Sequence, residues 1–443
     1  MDGIGILGLG IGLGLLIYLS FKGWSMIPTS IAASLAVIIT NRMNLWEAFS
    51  VSYATSMKNY AGTYLLLFFL GTVFGGLMGE SGAAKSIAVK LLNTLGSGKG
   101  LLIVVLVSGI LSYGGINLFV LLFTIYPIAL VLFNNENIPK RLFPAAMLLG
   151  SATFSMVGLP GSPAIQNLIP CAVLGTNAYA APLNGTLVSI VMFALGMVFL
   201  VRQQKRLAVA GIGFVPGSRD DLNKIRISED DDLPHWALSV LPMAVLILFI
   251  FFTRNTLDTV YAVNIALSIG IAIVFCLFWK RIENPLKSIN ESAANSITAL
   301  LNTSVIVGFG GVVQASSGFA SVVDFALSMA MSPLISASLA TGIVSAATGS
   351  CSGGLQIFLD SLGPKYIELC QAAGIPLEVL HRVICLAGAG LDTLPHSGGF
   401  ITAIVYTQLT AKESYKYVFF TNIVVTSIGC VVSILLFMAL GII

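Results

Sequence analysis

Charge is what this chain has least of. Asp, Glu, Lys and Arg make up 9% of its 443 residues, against about 25% in an ordinary soluble domain. That deficit excludes a soluble enzyme. The net charge of +3 is scattered over short loops and offers nucleic acid no continuous basic face. Histidine is rarer still, with His235, His381 and His396 alone. The six cysteines (Cys171, Cys276, Cys351, Cys370, Cys385 and Cys430) stand singly in apolar segments, without a CxxC pair or a Cys/His cluster. Neither a metal site nor a disulfide framework is expected. Catalytic strings are missing as well. There is no G-x-S-x-G, no H-E-x-x-H and no G-x-x-x-x-G-K-[ST]. The nearest approach to the last, Gly96-Ser97-Gly98-Lys99-Gly100, lacks the spacing and the hydroxyl. An enzyme, an ATP-driven pump and a bound cofactor all go without support.

Apolar residues fill the space that is left. They make up 56% of the chain, and the mean hydropathy is +0.95. Runs long enough to span a bilayer lie near 3–20, 24–40, 61–79, 184–202, 236–253, 260–280, 293–315 and 417–441. Two more, 101–133 and 333–359, are too long for one straight crossing. Two others, 142–173 and 383–409, are interrupted by Pro and Gly. The sum predicts an all-α polytopic membrane protein of about 10–12 spans. The opening run, MDGIGILGLGIGLGLLIYLS, lacks a basic n-region and reads as the first span. The long polar stretch 203–235 carries Arg202, Lys205, Arg206, Arg219, Lys224 and Arg226 at or near it, with an acidic cluster from Glu229 to Asp232. It and the basic loop 280–291 read as cytoplasmic by the positive-inside tendency. Its simplest reading is a solvated linker.

One stretch resists a helical reading. Thr153 to Asn167 (T-F-S-M-V-G-L-P-G-S-P-A-I-Q-N) lies in an apolar region, yet Pro160 and Pro163 remove backbone donors and Gly158 and Gly161 loosen the backbone. Irregular backbone at membrane depth is tolerated only inside protein or beside a wet cavity. The stretch therefore reads as the tip of a re-entrant helical hairpin, 142–173, and as a wall of a binding site.

The same signs recur further on. Phe74-Gly75-Gly76 returns as Phe309-Gly310-Gly311, Gly114-Gly115-Ile116-Asn117 as Gly353-Gly354-Leu355-Gln356, and Leu159-Pro160-Gly161-Ser162 as Leu394-Pro395-His396-Ser397. The offsets are 309−74 = 235, 353−114 = 239 and 394−159 = 235. The chain divides into an N-terminal repeat, 1–202, the linker 203–235, and a C-terminal repeat, 236–443, with a second hairpin at 383–409. Each repeat carries a Gly-Gly interruption in an over-long span and a Pro-containing tip. Inverted repeats would bring these breaks together near the midplane. Helix N-termini exposed there attract an anion.

The candidate residues follow from the breaks. Asn117 and Gln356 are equivalent amides that either bind substrate or satisfy freed backbone groups. Ser162 and Ser397 put hydroxyls at both tips. Tyr113 and Ser352 flank the Gly-Gly breaks, and Asn167, Gln166 and Thr393 are weaker candidates of the same type. His396 is the one histidine at a break, and either titrates or donates a hydrogen bond. Asp392, an acid within an apolar hairpin, is a proton carrier or a structural cap. Glu80 reads as an interfacial helix cap or, less simply, as a coupling acid. No Lys or Arg is expected to anchor the anion.

This pattern resembles the gluconate permease (GntP) family, within the larger group of ion transporters built with paired re-entrant hairpins. The resemblance covers nearly the whole chain. It is strongest at G-E-S-G-A-A-K (79–85), at the first tip, and at G-A-G-L-D-T-L-P-H-S-G-G-F (388–400), which places His396 at the family histidine. The sugar-acid members carry a Pro/His-rich first tip and an Asn-Asp pair after the second histidine. This chain has neither. Its P-G-S-P-x-I-Q-N run (160–167) is more similar to the short-chain hydroxyacid and 3-hydroxybutyrate permeases. The resemblance implies a homodimeric secondary transporter of the bacterial inner membrane with an elevator-type movement. It implies symport of a small hydroxycarboxylate with a proton, through His396, Asp392 and Glu80. A gluconate-like sugar acid, or Na⁺ in place of H⁺, stands as the alternative.

Overall fold

The computed structural model describes residues 3–113, 116, 118–162, 164–228, 232–253, 256–257, 259–328 and 332–442, without the side chains of residues 224, 259, 323, 324 and 326–328. Gly114, Gly115, Asn117, Pro163 and the acidic run 229–231 lie outside the described residues. The described fold is all helix, and its eighteen helices of nine residues or more come in two runs of nine. The first run is α1 (Gly3–Phe21), α2 (Met26–Thr40), α3 (Leu45–Glu80), α4 (Ala83–Leu95), α5 (Gly100–Tyr113), α6 (Leu118–Asn135), α7 (143–158), α8 (Ile165–Leu174) and α9 (Pro182–Val209). The second is α10 (Trp236–Thr253), α11 (Val260–Arg281), α12 (Pro285–Gln314), α13 (Ser317–Ser328), α14 (Pro333–Thr348), α15 (Cys351–Ala372), α16 (Leu377–Leu391), α17 (Gly398–Tyr406) and α18 (Ala411–Ala439). Eight of these are long and apolar enough to cross a membrane by length and composition. The protein is a polytopic membrane protein.

The long helices α3 and α12, equivalent in the two runs, pack on each other at the centre. The Phe-Gly-Gly repeat explains how. Phe74 and Phe309 are fully buried. A Cβ at Gly75 would overlap the Phe123 carbonyl of α6, and one at Gly311 would overlap Ser56 and the Ser52 carbonyl of α3. Glycine therefore lets backbones approach where any side chain would hold them apart.

Contacts at the helix ends show which segments cross and which turn back. The amides of Gly98 and Gly100, at the start of α5, donate to Glu136, just past the end of α6, at 2.7 and 2.8 Å. Helices α5 and α6 therefore enter and leave on one face. That face carries the linker, because Lys140 pairs with Asp220 at 2.6 Å. From Lys140, α7 and α8 run to Ala181, whose amide donates to Glu378 at the start of α16 (3.3 Å). Helix α9, 28 residues and about 42 Å long at 1.5 Å per residue, separates Ala181 from the linker. So α7–α8 crosses, with its break at 159–164. Likewise α16–α17 crosses from Glu378 to the linker, where Arg219 donates to the Val405 carbonyl (2.9 Å). Helices α14 and α15 turn back on the far face: the Gly318 amide at the start of α13 is bonded to Asn41 (2.7 Å), beside Gly5 of α1.

These ends correct the sequence reading. Each repeat has one re-entrant hairpin and one broken span, but the two are exchanged. The hairpins are α5–α6 and α14–α15, the second turning at Gly349 and Ser350, and the Pro-containing segments 142–173 and 383–409 are broken crossings. The apolar runs 101–133 and 142–173 are nearly equal in length, so length alone did not separate them.

The linker is also more than a solvated connector. Asp220 is buried, and it accepts from the Tyr126 hydroxyl (3.2 Å), the Gly217 amide (2.6 Å) and Lys140. Arg219 donates to Asn295 of α12 at 2.6 Å as well as to the end of α17. This dipeptide straps the linker face of both repeats.

Candidate functional site

Both hairpin turns and both breaks meet at one cavity of about 730 Å³. Ser112 and Ile116 reach it from the first hairpin, and Ser350, Ser352 and Gly353 from the second. Ala164, Ile165 and Gln166 reach it from the α7–α8 break, and Asp392, Thr393, His396 and Ser397 from the α16–α17 break. Helices α3 and α12 line it through Tyr60, Tyr64, Ile306 and Gln314, with further residues from α7 and α11.

Helix N-termini give the cavity its polarity. Ser350 caps α15 by accepting from the Gly353 amide (3.2 Å), and Ser397 caps α17 by accepting from the Phe400 amide (3.3 Å). Asp392 shares the cavity with Cys351, the first residue of α15. Capping satisfies only part of a first turn, and Gly398 and Gly399 at the start of α17, with Ile165 and Gln166 at the start of α8, line the cavity at the positive ends of their helix dipoles. No Lys or Arg lines the cavity among the described residues. The cavity also has apolar lining, from Leu118, Phe119, Ala152, Met156, Leu168 and Val263.

Three polar atoms at this cavity are buried without a hydrogen-bond partner among the described residues: Asp392 Oδ1, His396 Nδ1 and the Tyr60 hydroxyl. His396 Nε2 donates to the Ala346 carbonyl at 2.8 Å. A carbonyl only accepts, so in the neutral ring Nδ1 carries the free lone pair. Such orphaned groups are costly unless a ligand or water completes them.

The structure divides the sequence candidates. Ser352, Thr393, His396, Ser397 and Asp392 share the cavity, as does Gln166. Ser162 and Asn167 are fully buried outside it. Asn167 Nδ2 donates to the carbonyls of Ser162 and Ala178, both at 2.9 Å, and its Oδ1 accepts from Arg382 and is paired with His381, both at 3.2 Å. Its amide is saturated by protein. The Tyr113 hydroxyl donates to the Pro160 carbonyl (2.9 Å), tying the first hairpin turn to the neighbouring break. Gln356 is exposed and bonded to Asp360 (2.8 Å) along α15. Glu80 lies on the linker face, where it accepts from the Ser288 hydroxyl and the Asn284 amide. Asn117 lies outside the described residues.

Two features escaped the sequence reading. Tyr60 carries no motif, and only its burial beside the cavity singles it out. Arg382 stands outside both breaks in the sequence, and nothing there singles it out. It is fully buried, although it lies outside the cavity.

Comparison with known proteins agrees along the full length. The GntP family permease pattern matches residues 4–440. The chain is 33% identical to the uncharacterized transporter YxjC of Bacillus subtilis, over 94% of this chain and 95% of that one. It is 25% identical to the high-affinity gluconate transporter of Escherichia coli, over 97% of each. It is 26% identical to an uncharacterized transporter of Haemophilus influenzae, over 78% of each.

Proposed function

The chain belongs to the GntP family of permeases, and on that premise we propose that it is a secondary transporter that carries a small, 3-hydroxybutyrate-like hydroxycarboxylate inward with a proton. As a family member it is a multi-pass membrane permease for a small organic anion and not an enzyme. The finer reading rests on the mixed lining of the cavity. It offers helix N-termini and the hydroxyls of Ser352, Thr393 and Ser397, enough for one carboxylate and one hydroxyl. Its apolar lining suits a methyl end. A gluconate chain would set its further hydroxyls against Leu118, Phe119 and Met156, and each unpaired buried hydroxyl costs about 1–3 kcal/mol.

Coupling is assigned to Asp392 and His396. Ionised, Asp392 would take the positive N-terminal end of α15, whose first residue lines the same cavity. A proton taken from outside would weaken that hold and give the helix end to the substrate carboxylate, so anion and proton travel together. The basic linker face is cytoplasmic by the positive-inside tendency. Helices α5–α8 and α14–α17 form the moving unit. Helices α1–α3 and α10–α12 form the scaffold, whose exposed apolar face would meet lipid and a second copy. The Thr303 and Thr402 hydroxyls, 2.7 Å apart, join the two parts.

Gluconate is the second reading, favoured by the printed name of the Escherichia coli relative. Counterflow in proteoliposomes with 3-hydroxybutyrate, lactate, gluconate and citrate, with and without Na⁺, decides among them. Exchange of 3-hydroxybutyrate and lactate without Na⁺ is expected. Exchange of gluconate alone, or an absolute need for Na⁺, would sink this reading. In the same assay a Thr303→Cys/Thr402→Cys disulfide should stop exchange until it is reduced, and undiminished exchange would rule out a moving unit.

A further inference from the structure

We propose that Arg382 is a positioning residue for transport: it clamps the α7–α8 break so that the N-terminus of α8 points into the cavity. The proposal rests on the reading that the cavity holds the transported anion.

The guanidinium is fully buried, and among the described residues no carboxylate pairs with it. A buried cation without a counterion is costly; Nη1 and Nη2 are hydrogen-bonded, while Nε is buried without a partner among the described residues. The bonds all fall on the segment around the first break. Nη1 donates to the Val157 carbonyl at the end of α7 (2.6 Å) and to Asn167 Oδ1 on α8 (3.2 Å). Nη2 donates to the Ala180 carbonyl (2.8 Å) in the loop before α9. Asn167 relays the clamp inward, since its Nδ2 holds the carbonyls of Ser162 and Ala178 (2.9 Å each). One cation on α16 thus fixes both sides of a break in another helix.

The clamp does not reach the substrate itself. Arg382 is ten residues from Asp392 along α16, about 15 Å at 1.5 Å per residue, and it does not line the cavity. It acts through Asn167, whose near neighbours Ala164, Ile165 and Gln166 do line it. The other repeat has no such clamp: the position equivalent to Arg382 (382−235 = 147) is Met147.

The test uses the full-length protein in two independent assays. In 3-hydroxybutyrate counterflow, Arg382→Met should raise KM by about tenfold or more while Vmax per folded protein stays within about threefold, with Arg382→Lys in between. On the purified protein without substrate, hydrogen–deuterium exchange should rise at 158–168 in Arg382→Met and stay unchanged at 392–400. An unchanged KM, with Vmax falling only as folded protein falls, overturns the proposal. So does a raised KM with unchanged exchange at 158–168. If Arg382→Met does not fold, Arg382→Lys is read by the same criteria. If the wild type exchanges no 3-hydroxybutyrate, the functional reading has failed on its own, and the exchange assay still decides for or against the clamp.

Discussion

At the α7–α8 break, the polar side chains are tied up inside the protein: Asn167 makes four hydrogen bonds, and Ser162 lies buried away from the cavity. At the α16–α17 break, 235 residues later, Asp392 Oδ1 and His396 Nδ1 face the cavity without partners. Both breaks share the Leu-Pro-x-Ser core, so the proline explains why each helix stops but not what each stop does. The difference comes from the residues around it. Asn167 matches Thr402 (402−167 = 235), and Thr402 bonds outward to Thr303 of the scaffold. The first break is therefore a strut held by its neighbour α16, and the second is a working end.

The largest effect should fall on the second break. Asp392→Asn and His396→Ala are each expected to abolish accumulation driven by a pH gradient, while Asp392→Asn retains substrate counterflow, which needs no net proton movement. Accumulation by both variants under a pH gradient alone would remove titration from this end and make the two breaks alike.

Stability should show the reverse order. Asn167→Leu strands Arg382 and the carbonyls of Ser162 and Ala178, at about 1–3 kcal/mol for each unsatisfied buried group. Its thermal midpoint in detergent should fall by several degrees. Thr393→Val removes one long hydrogen bond, to the Gly390 carbonyl at 3.3 Å, and should cost under about 1 kcal/mol. Equal losses at both sites would erase the strut.

How much of this was legible follows from the same residues. The low charge, the apolar runs and the repeat offsets fixed an all-helical bundle, because lipid leaves the backbone few choices. The breaks announced themselves through Pro and Gly, and Asp392, Thr393, His396, Ser397 and Ser352 do share one cavity. The direction of each broken segment was not legible. It depends on where Glu136, Lys140 and Glu378 find partners, and those contacts join residues far apart in sequence. Asn167 misled for a related reason: an amide beside a break serves substrate and backbone equally well, and only Arg382, 215 positions away, decides between them.

A further effect, on stability and not on KM, concerns the residue where the two cores differ. Gly161 adopts a left-handed backbone, φ +79°, where the equivalent His396 (396−161 = 235) does not. Its amide donates to the Ala178 carbonyl at 2.8 Å, which closes the strut. Gly161→Ala meets two penalties. The left-handed conformation costs an L-residue about 1–2 kcal/mol. The new Cβ would also lie 2.6 Å from the Tyr179 ring, but that ring is largely exposed and free to swing aside. The conformational term should therefore dominate: a shift of a few degrees in the thermal midpoint that Tyr179→Ala does not reverse, with KM unchanged. Full rescue by Tyr179→Ala would show instead that packing alone requires the glycine, and that a side chain in the manner of His396 is compatible with the first break.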